Sequence, residues 1–187
     1  ALDDFERALA LAPNMAEAHA NRASVLSRMP GREAEARWHH DEAVRTNPAL
    51  PEAWFNRGNA LARDPKLWAD ALESFNRALA LDPTLAEAHA NRAGLLAKMP
   101  GRELEAEADL ARALQLRPDF SEAQLAWADL LAARGNAAAE ARQHYEEALR
   151  LRPDLVAAHF GLANLSQNRL SLGGAAFELL NKRNPAH

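Results

Sequence analysis

Residues 39–42 read His-His-Asp-Glu, side chains that could hold a divalent metal or move a proton if they converged. On a helix they do not converge: adjacent residues diverge by about 100°, and no pair of ligands spaced four apart is available. The run therefore predicts no metal site. His19, His89 and His159 share one place in a longer pattern, but successive members lie 70 residues apart, too far to share an ion. They read as large, partly buried side chains standing where Trp54 stands. The third set is Asn21, Asn56 and Asn91, one amide every 35 residues. An amide offers donor and acceptor together, the complement of one peptide unit. There is no cysteine, so disulfide and thiolate chemistry are excluded. No Gly-rich phosphate loop, nucleophile elbow or supported carboxylate pair is found. The sequence thus implies no enzyme, no cofactor and no metal.

The elements that must position these residues recur with the same spacing. Segments starting at Ala16, Pro51, Ala86, Ser121 and Val156 align without a gap, each 35 residues after the last. Such a period marks a solenoid, whose units complete one another's cores by stacking. Breakers fall at one place in each unit: Met29-Pro30-Gly31, Asp64-Pro65-Lys66, Met99-Pro100-Gly101, Arg134-Gly135-Asn136 and Arg169-Leu170-Ser171. A second stop comes at Pro13, Pro48, Pro83, Pro118 and Pro153, where proline ends one helix before the next. Each unit is therefore predicted as helix, turn, helix. Small residues mark close helix approach at Ala23, Gly58, Ala93, Ala128 and Ala163, at Ala36 and its equivalents, and at Ala8, Ala43, Ala78, Ala113 and Ala148. Phe5, His40, Phe75, Leu110, Tyr145 and Leu180 occupy one repeated place and are predicted to be core. A longer period overlies the short one: the stretch from Ala1 closely matches that from Ala71, as if paired units were duplicated together.

This pattern resembles the tetratricopeptide repeat, best in the second unit with Trp54, Gly58, Leu61, Ala71, Phe75, Ala78 and Pro83. The resemblance covers essentially the whole chain and implies an all-α, right-handed superhelical solenoid of antiparallel helix pairs. One array over 1–187 is expected. It comprises a lone second helix (1–15), full repeats 16–50, 51–85, 86–120 and 121–155, and a degenerate capping repeat over 156–187. Units here are one residue longer than is usual in the family, with the extra residue in the turn. The family's leucine in the first helix is replaced by Arg22, Arg57 and Arg92, then Trp127 and Leu162. Such an arginine is expected to lay its methylenes on a neighbouring helix while its guanidinium reaches water.

The resemblance also implies that Asn21, Asn56 and Asn91 face a concave groove. A similar asparagine ladder in the repeat domains of O-linked N-acetylglucosamine transferases grips the backbone of an extended peptide. With about 10 Å between units and about 3.3 Å per extended residue, the ladder would meet every third residue. Asn59, Glu52 and Glu87 join the expected peptide-binding set, although acids at helix starts are also favoured there by the macrodipole alone. The ladder stops at Ala126 and Gly161. The lysine and asparagine clamp of the family's chaperone-binding members is absent, its places held by alanine, phenylalanine and glutamate.

The resemblance therefore implies a noncatalytic scaffold with a protein or peptide partner. The alternatives are the substrate-recognition arm of a larger glycosyltransferase or sulfotransferase, or a scaffold that self-associates through its terminal helices. A net charge of −4 and a pI near 6.0 give no electrostatic reason to expect nucleic acid or an anionic membrane, and no run is apolar enough to insert in a bilayer. The composition is that of soluble, helical material; the compartment stays open, with the cytoplasm favoured. Arginine and alanine richness hints at a bacterial source. At the C-terminus, Arg183 stands where earlier units keep Ala148 and is too bulky for another helix to pack on, as in a terminal cap. Gly173 and Gly174 weaken the last helix, and Phe177, Leu179 and Leu180 are expected to fold it back on the stack.

Overall fold

Between the predicted breakers lie stretches of Ala, Leu, Glu and Arg, strong helix formers all, and each folds as a helix. The structure, a computed structural model, describes residues 2–167. The chain divides into two compact units, Ala1–Leu116 and Arg117–His187. In the first, α1 (Leu2–Leu11) is followed by α2 (Ala16–Leu26), α3 (Glu33–Thr46), α4 (Pro51–Leu61), a 3-10 turn (Pro65–Leu67), α5 (Trp68–Leu81), α6 (Ala86–Leu96) and α7 (Glu103–Leu116). The second holds α8 (Ser121–Arg134), α9 (Ala138–Leu151) and α10, helical over 156–167.

The main packing is pairwise, α2 on α3, α4 on α5, α6 on α7 and α8 on α9. Inside the first unit the pairs are joined by α1 on α2, α3 on α4, α5 on α6, and by the first helices α2 and α4 touching each other. The turns follow the expected breakers. Gly31 and Gly101 complete their Pro-Gly turns at φ +80°, a left-handed backbone that costs glycine least.

Most of the small-residue places are filled as predicted, whereas Ala8 is only half-buried and Ala163 is exposed. Ala23, Ala43, Ala71, Ala78, Ala93, Ala106 and Ala113 are wholly buried, which lets helices approach closely. The large core place also holds: His40, Phe75, Leu110 and Tyr145 are buried. Phe5 departs from it and is half-buried, on a helix that packs on α2 and has no fully buried residue. Helix α5 lies close on α4 where the Phe75 ring covers Gly58, at a distance that leaves no room for a methyl group. The Tyr145 ring covers Gly161 in the same manner in the second unit. The expected cap residues Gly173, Gly174, Phe177, Leu179, Leu180 and Arg183 lie outside the described residues.

Candidate peptide-binding face

The first helices of the three repeats in the first unit are held in rotation by their polar anchors. Arg22 of α2 donates to Glu6 of α1 at 2.8 Å and to Glu35 of α3 at 3.1 Å. Arg57 of α4 donates to Asp41 of α3 and to Ser74 of α5, both at 2.7 Å. Arg92 of α6 donates to Asn76 of α5 at 2.7 Å and makes a two-pronged contact with Asp109 of α7 at 2.6 and 2.7 Å. Each arginine thus joins the second helix before it to the second helix after it. The expectation that these guanidinium groups reach water is corrected for Arg22, whose side chain is only 12% exposed, whereas those of Arg57 and Arg92 keep 21% and 23%. Burial works against its charge, but hydrogen bonds to Glu35 and Glu6 outweigh burial and raise its pKa above the ordinary arginine value. A half-hidden cation facing two acceptors is held more firmly by pairing than by hydration, because a charge left unpaired out of water is costly.

A second anchor lies 20 residues from its partner in sequence. The His19 Nε2–H donates to the Pro13 carbonyl at 3.0 Å, which leaves His19 Nδ1 as an acceptor for the Nδ1–H of His39 at 2.8 Å. In the third repeat the same places hold His89 and Asp109, with Nδ1 2.9 Å from the carboxylate and Nε2 3.2 Å from the Pro83 carbonyl. Trp54 donates to the Pro48 carbonyl in the same manner. The ring at this place is a tie to the preceding proline turn, and His19 and His89 are more deeply buried than the partly buried groups expected. His40 is core, as its repeated place predicts. Among the described residues no group of three His, Asp or Glu side chains could hold a metal ion. A cleft of about 270 Å³ between α5, α6 and α7 is lined by Asn76, Arg92, Arg102, Glu105 and Asp109 among others, and these polar groups are engaged with one another.

The anchored side chains leave the opposite face of each first helix open. At about 100° per residue, His19, Arg22 and Leu26 of α2 cluster about half a turn from Glu17 and Asn21. Glu17 and Asn21 are exposed, whereas His19 and Leu26 are buried. The same relation puts Glu52, Asn56 and Asn59 on that side of α4, and Glu87 and Asn91 on that of α6; Glu52 and Asn91 are exposed there, and Asn56, Asn59 and Glu87 are half-buried. Asn91 Nδ2 donates to Asn59 Oδ1 at 2.7 Å, so the open faces of α4 and α6 adjoin and two expected site residues meet. Among the described residues, the Asn21 and Asn56 side-chain amides bond to no other protein group. The three amides are therefore not equivalent. The second repeat has Asn59 where the first has Ser24 and the third Gly94, and only Asn59 is both long enough and polar enough to meet the next amide.

Sequence reasoning missed the arginine bridges and the ties 20 residues apart. The signal for both was present: Glu6, Asp41 and Asn76 are spaced by 35 residues, as are His39, Ser74 and Asp109. Each series is polar at every member although its chemistry changes.

The fold these features define is an all-α helical-repeat solenoid of antiparallel helix pairs, the fold of tetratricopeptide-repeat proteins. Solved structures of that class are similar to it. The thermophilic TPR protein TTC0263 of Thermus thermophilus is 26% identical, with a TM-score of 0.72 over 89% of each chain. MamA from Desulfovibrio magneticus RS-1 is 20% identical, with a TM-score of 0.69 over 89% of this chain and 92% of that one. PilF of Pseudomonas aeruginosa is 21% identical, with a TM-score of 0.71 over 92% of this chain and 77% of that one. No family model matches the chain, and no curated protein matches it. No helix among the described residues is long and apolar enough to cross a membrane.

Proposed function

We propose that this chain is a noncatalytic protein-interaction scaffold that binds an extended peptide segment on the open face of its first helices. Repeats 16–50, 51–85 and 86–120 bear the site, with Asn21, Asn56 and Asn91 as the amide row, Asn59 beside it, and Glu52 and Glu87 along its edge. One observation carries the reading. Each of these first helices is locked by a buried or half-buried anchor on one side, and on the other presents an amide at the same place, two of which make no hydrogen bond among the described residues. Amides that serve no part of the scaffold suit a partner with exposed peptide groups, and an extended chain has such groups whereas a helix has used its own.

The test is a peptide-display selection on the wild-type protein, followed by affinity measurement of the selected peptides against Asn21→Ala/Asn56→Ala/Asn91→Ala. Three hydrogen bonds of about 1 kcal/mol each predict a weakening of at least tenfold. Unchanged affinity with an unchanged circular dichroism spectrum removes the amide row from the function.

A further inference from the structure

The amide row runs between two edges of opposite charge. On one side of it lie Glu17, Glu52 and Glu87, each in the first turn of its helix. On the other lie Arg28, Arg63 and Lys98, again one per repeat and 35 residues apart, all exposed. Each cation stands two residues past the end of its first helix, in the turn that follows, so acid and cation lie at opposite ends of an 11-residue helix, roughly 16 Å apart along its axis. Arg63 donates to the Ser27 carbonyl of the preceding repeat at 2.8 Å, which uses one of the five N–H donors of its guanidinium. Among the described residues, the Arg28 and Lys98 side chains make no hydrogen bond or ion pair with the protein. In the next repeat the amide and cation places hold Ala126 and Ala133, so the three-row pattern belongs to the first unit alone.

An extended chain laid along such a face has one favourable way to sit. Its N–H and C=O groups lie roughly at right angles to its side chains, which alternate from one side to the other. When the backbone edge faces the amides, alternate side chains point to the acidic edge and the rest to the basic edge. Because each edge carries one sign throughout, the match needs no fixed register between the repeat spacing and the peptide spacing. Three first helices at about 10 Å spacing span roughly 20 Å, or about seven extended residues. We propose that the partner of this face is an extended segment of about seven residues in which cationic and anionic side chains alternate, the cations lying along the Glu17–Glu52–Glu87 edge and the anions along the Arg28–Arg63–Lys98 edge. This rests on the peptide-binding reading above and adds the partner's charge pattern and its orientation across the face.

The probes are fluorescein-labelled nine-residue peptides read by anisotropy at low and physiological salt: alternating Lys and Glu, a blocked order of the same composition, all Lys, all Glu, and an uncharged Ser/Thr peptide. The alternating peptide is expected to bind at least tenfold more tightly than any other, with the advantage shrinking as salt is added. Glu17→Lys/Glu52→Lys/Glu87→Lys alone, or Arg28→Glu/Arg63→Glu/Lys98→Glu alone, should abolish that advantage. Combining both sets should restore it, since the exchanged edges accept the same peptide shifted by one residue. Equal binding of the alternating and blocked peptides by the wild-type protein overturns the charge pattern without recourse to any variant. If all the peptides bind equally and all weaken in the triple asparagine variant, the peptide-binding reading stands and only the charge pattern falls. If none binds, both fall.

Discussion

His19 and His39 meet ring to ring in a buried contact, while His89 meets Asp109 at the equivalent place. Burial first, and then the positive field of Arg22, push His39 down to about 4, and burial pushes His40 to about 4 as well. A base whose folded pKa lies below its unfolded value contributes stability that is complete above about pH 6.5 and is lost as the pH falls through the folded value. By pH 4.5 the loss is about 2 kcal/mol for each of these histidines. Other groups face the pair: Glu35 and Glu42 favour the charged ring, and Arg22 opposes it. We predict that His39→Asp, which copies the third repeat, shrinks the stability lost between pH 6.5 and pH 5 by about 1.5 kcal/mol, as measured by urea unfolding at the two pH values. The new carboxylate would face His19 Nδ1 as Asp109 faces His89 Nδ1. A variant as acid-sensitive as the wild type would show that the His19–His39 contact does not set the acid limb.

At the scale of the helix, two glycines of similar standing in the sequence have opposite meanings. Gly58 in α4 and Gly94 in α6 both sit in first helices, where alanine is favoured by about 1 kcal/mol in propensity. A Cβ on Gly58 would lie 2.8 Å from the ring of Phe75, which is fully buried and cannot yield. A Cβ on Gly94 would meet nothing within 4 Å. Gly58→Ala should therefore destabilise by about 1–2 kcal/mol, the overpacking cost exceeding the propensity gain, while Gly94→Ala should stabilise by about 0.5–1 kcal/mol. Thermal unfolding of the two variants checks the pair, and a stabilising Gly58→Ala would mean that α4 and α5 are not held at their close approach. Propensity alone ranks the two substitutions alike; the ring across the helix interface separates them.

For the molecule as a stack, stability is set by each repeat and its neighbours rather than by a single core. Acid should thus open the first unit unevenly. Hydrogen exchange at pH 5 and pH 7, corrected for intrinsic rates, is predicted to show protection in α2 and α3 falling at least tenfold more than in α6 and α7. In the first of these repeats His19, His39 and His40 are buried with no carboxylate bonded to their rings; in the last, Asp109 holds both His89 and Arg92. Equal loss of protection would show that the unit unfolds as one block.

Much of this organisation was legible in the chain itself. The 35-residue period, the alanines and the Pro-Gly turns are local signals: a helix face repeats every 3.6 residues, and a core built from identical contacts demands the same size of residue at the same place. That is why Ala43, Ala78, Phe75 and His40 were identifiable as interior, and Asn21, Asn56 and Asn91 as a series. The tertiary structure decided which polar groups are consumed in holding the stack and which remain for a ligand. Arg22 was expected in water and is instead paired with two helices; Asn91 leans on Asn59, 32 residues away, while the Asn21 and Asn56 amides bond to no other group among the described residues. Such pairings depend on the rotation and spacing of two helices at once, and that relation arises only when the repeats pack.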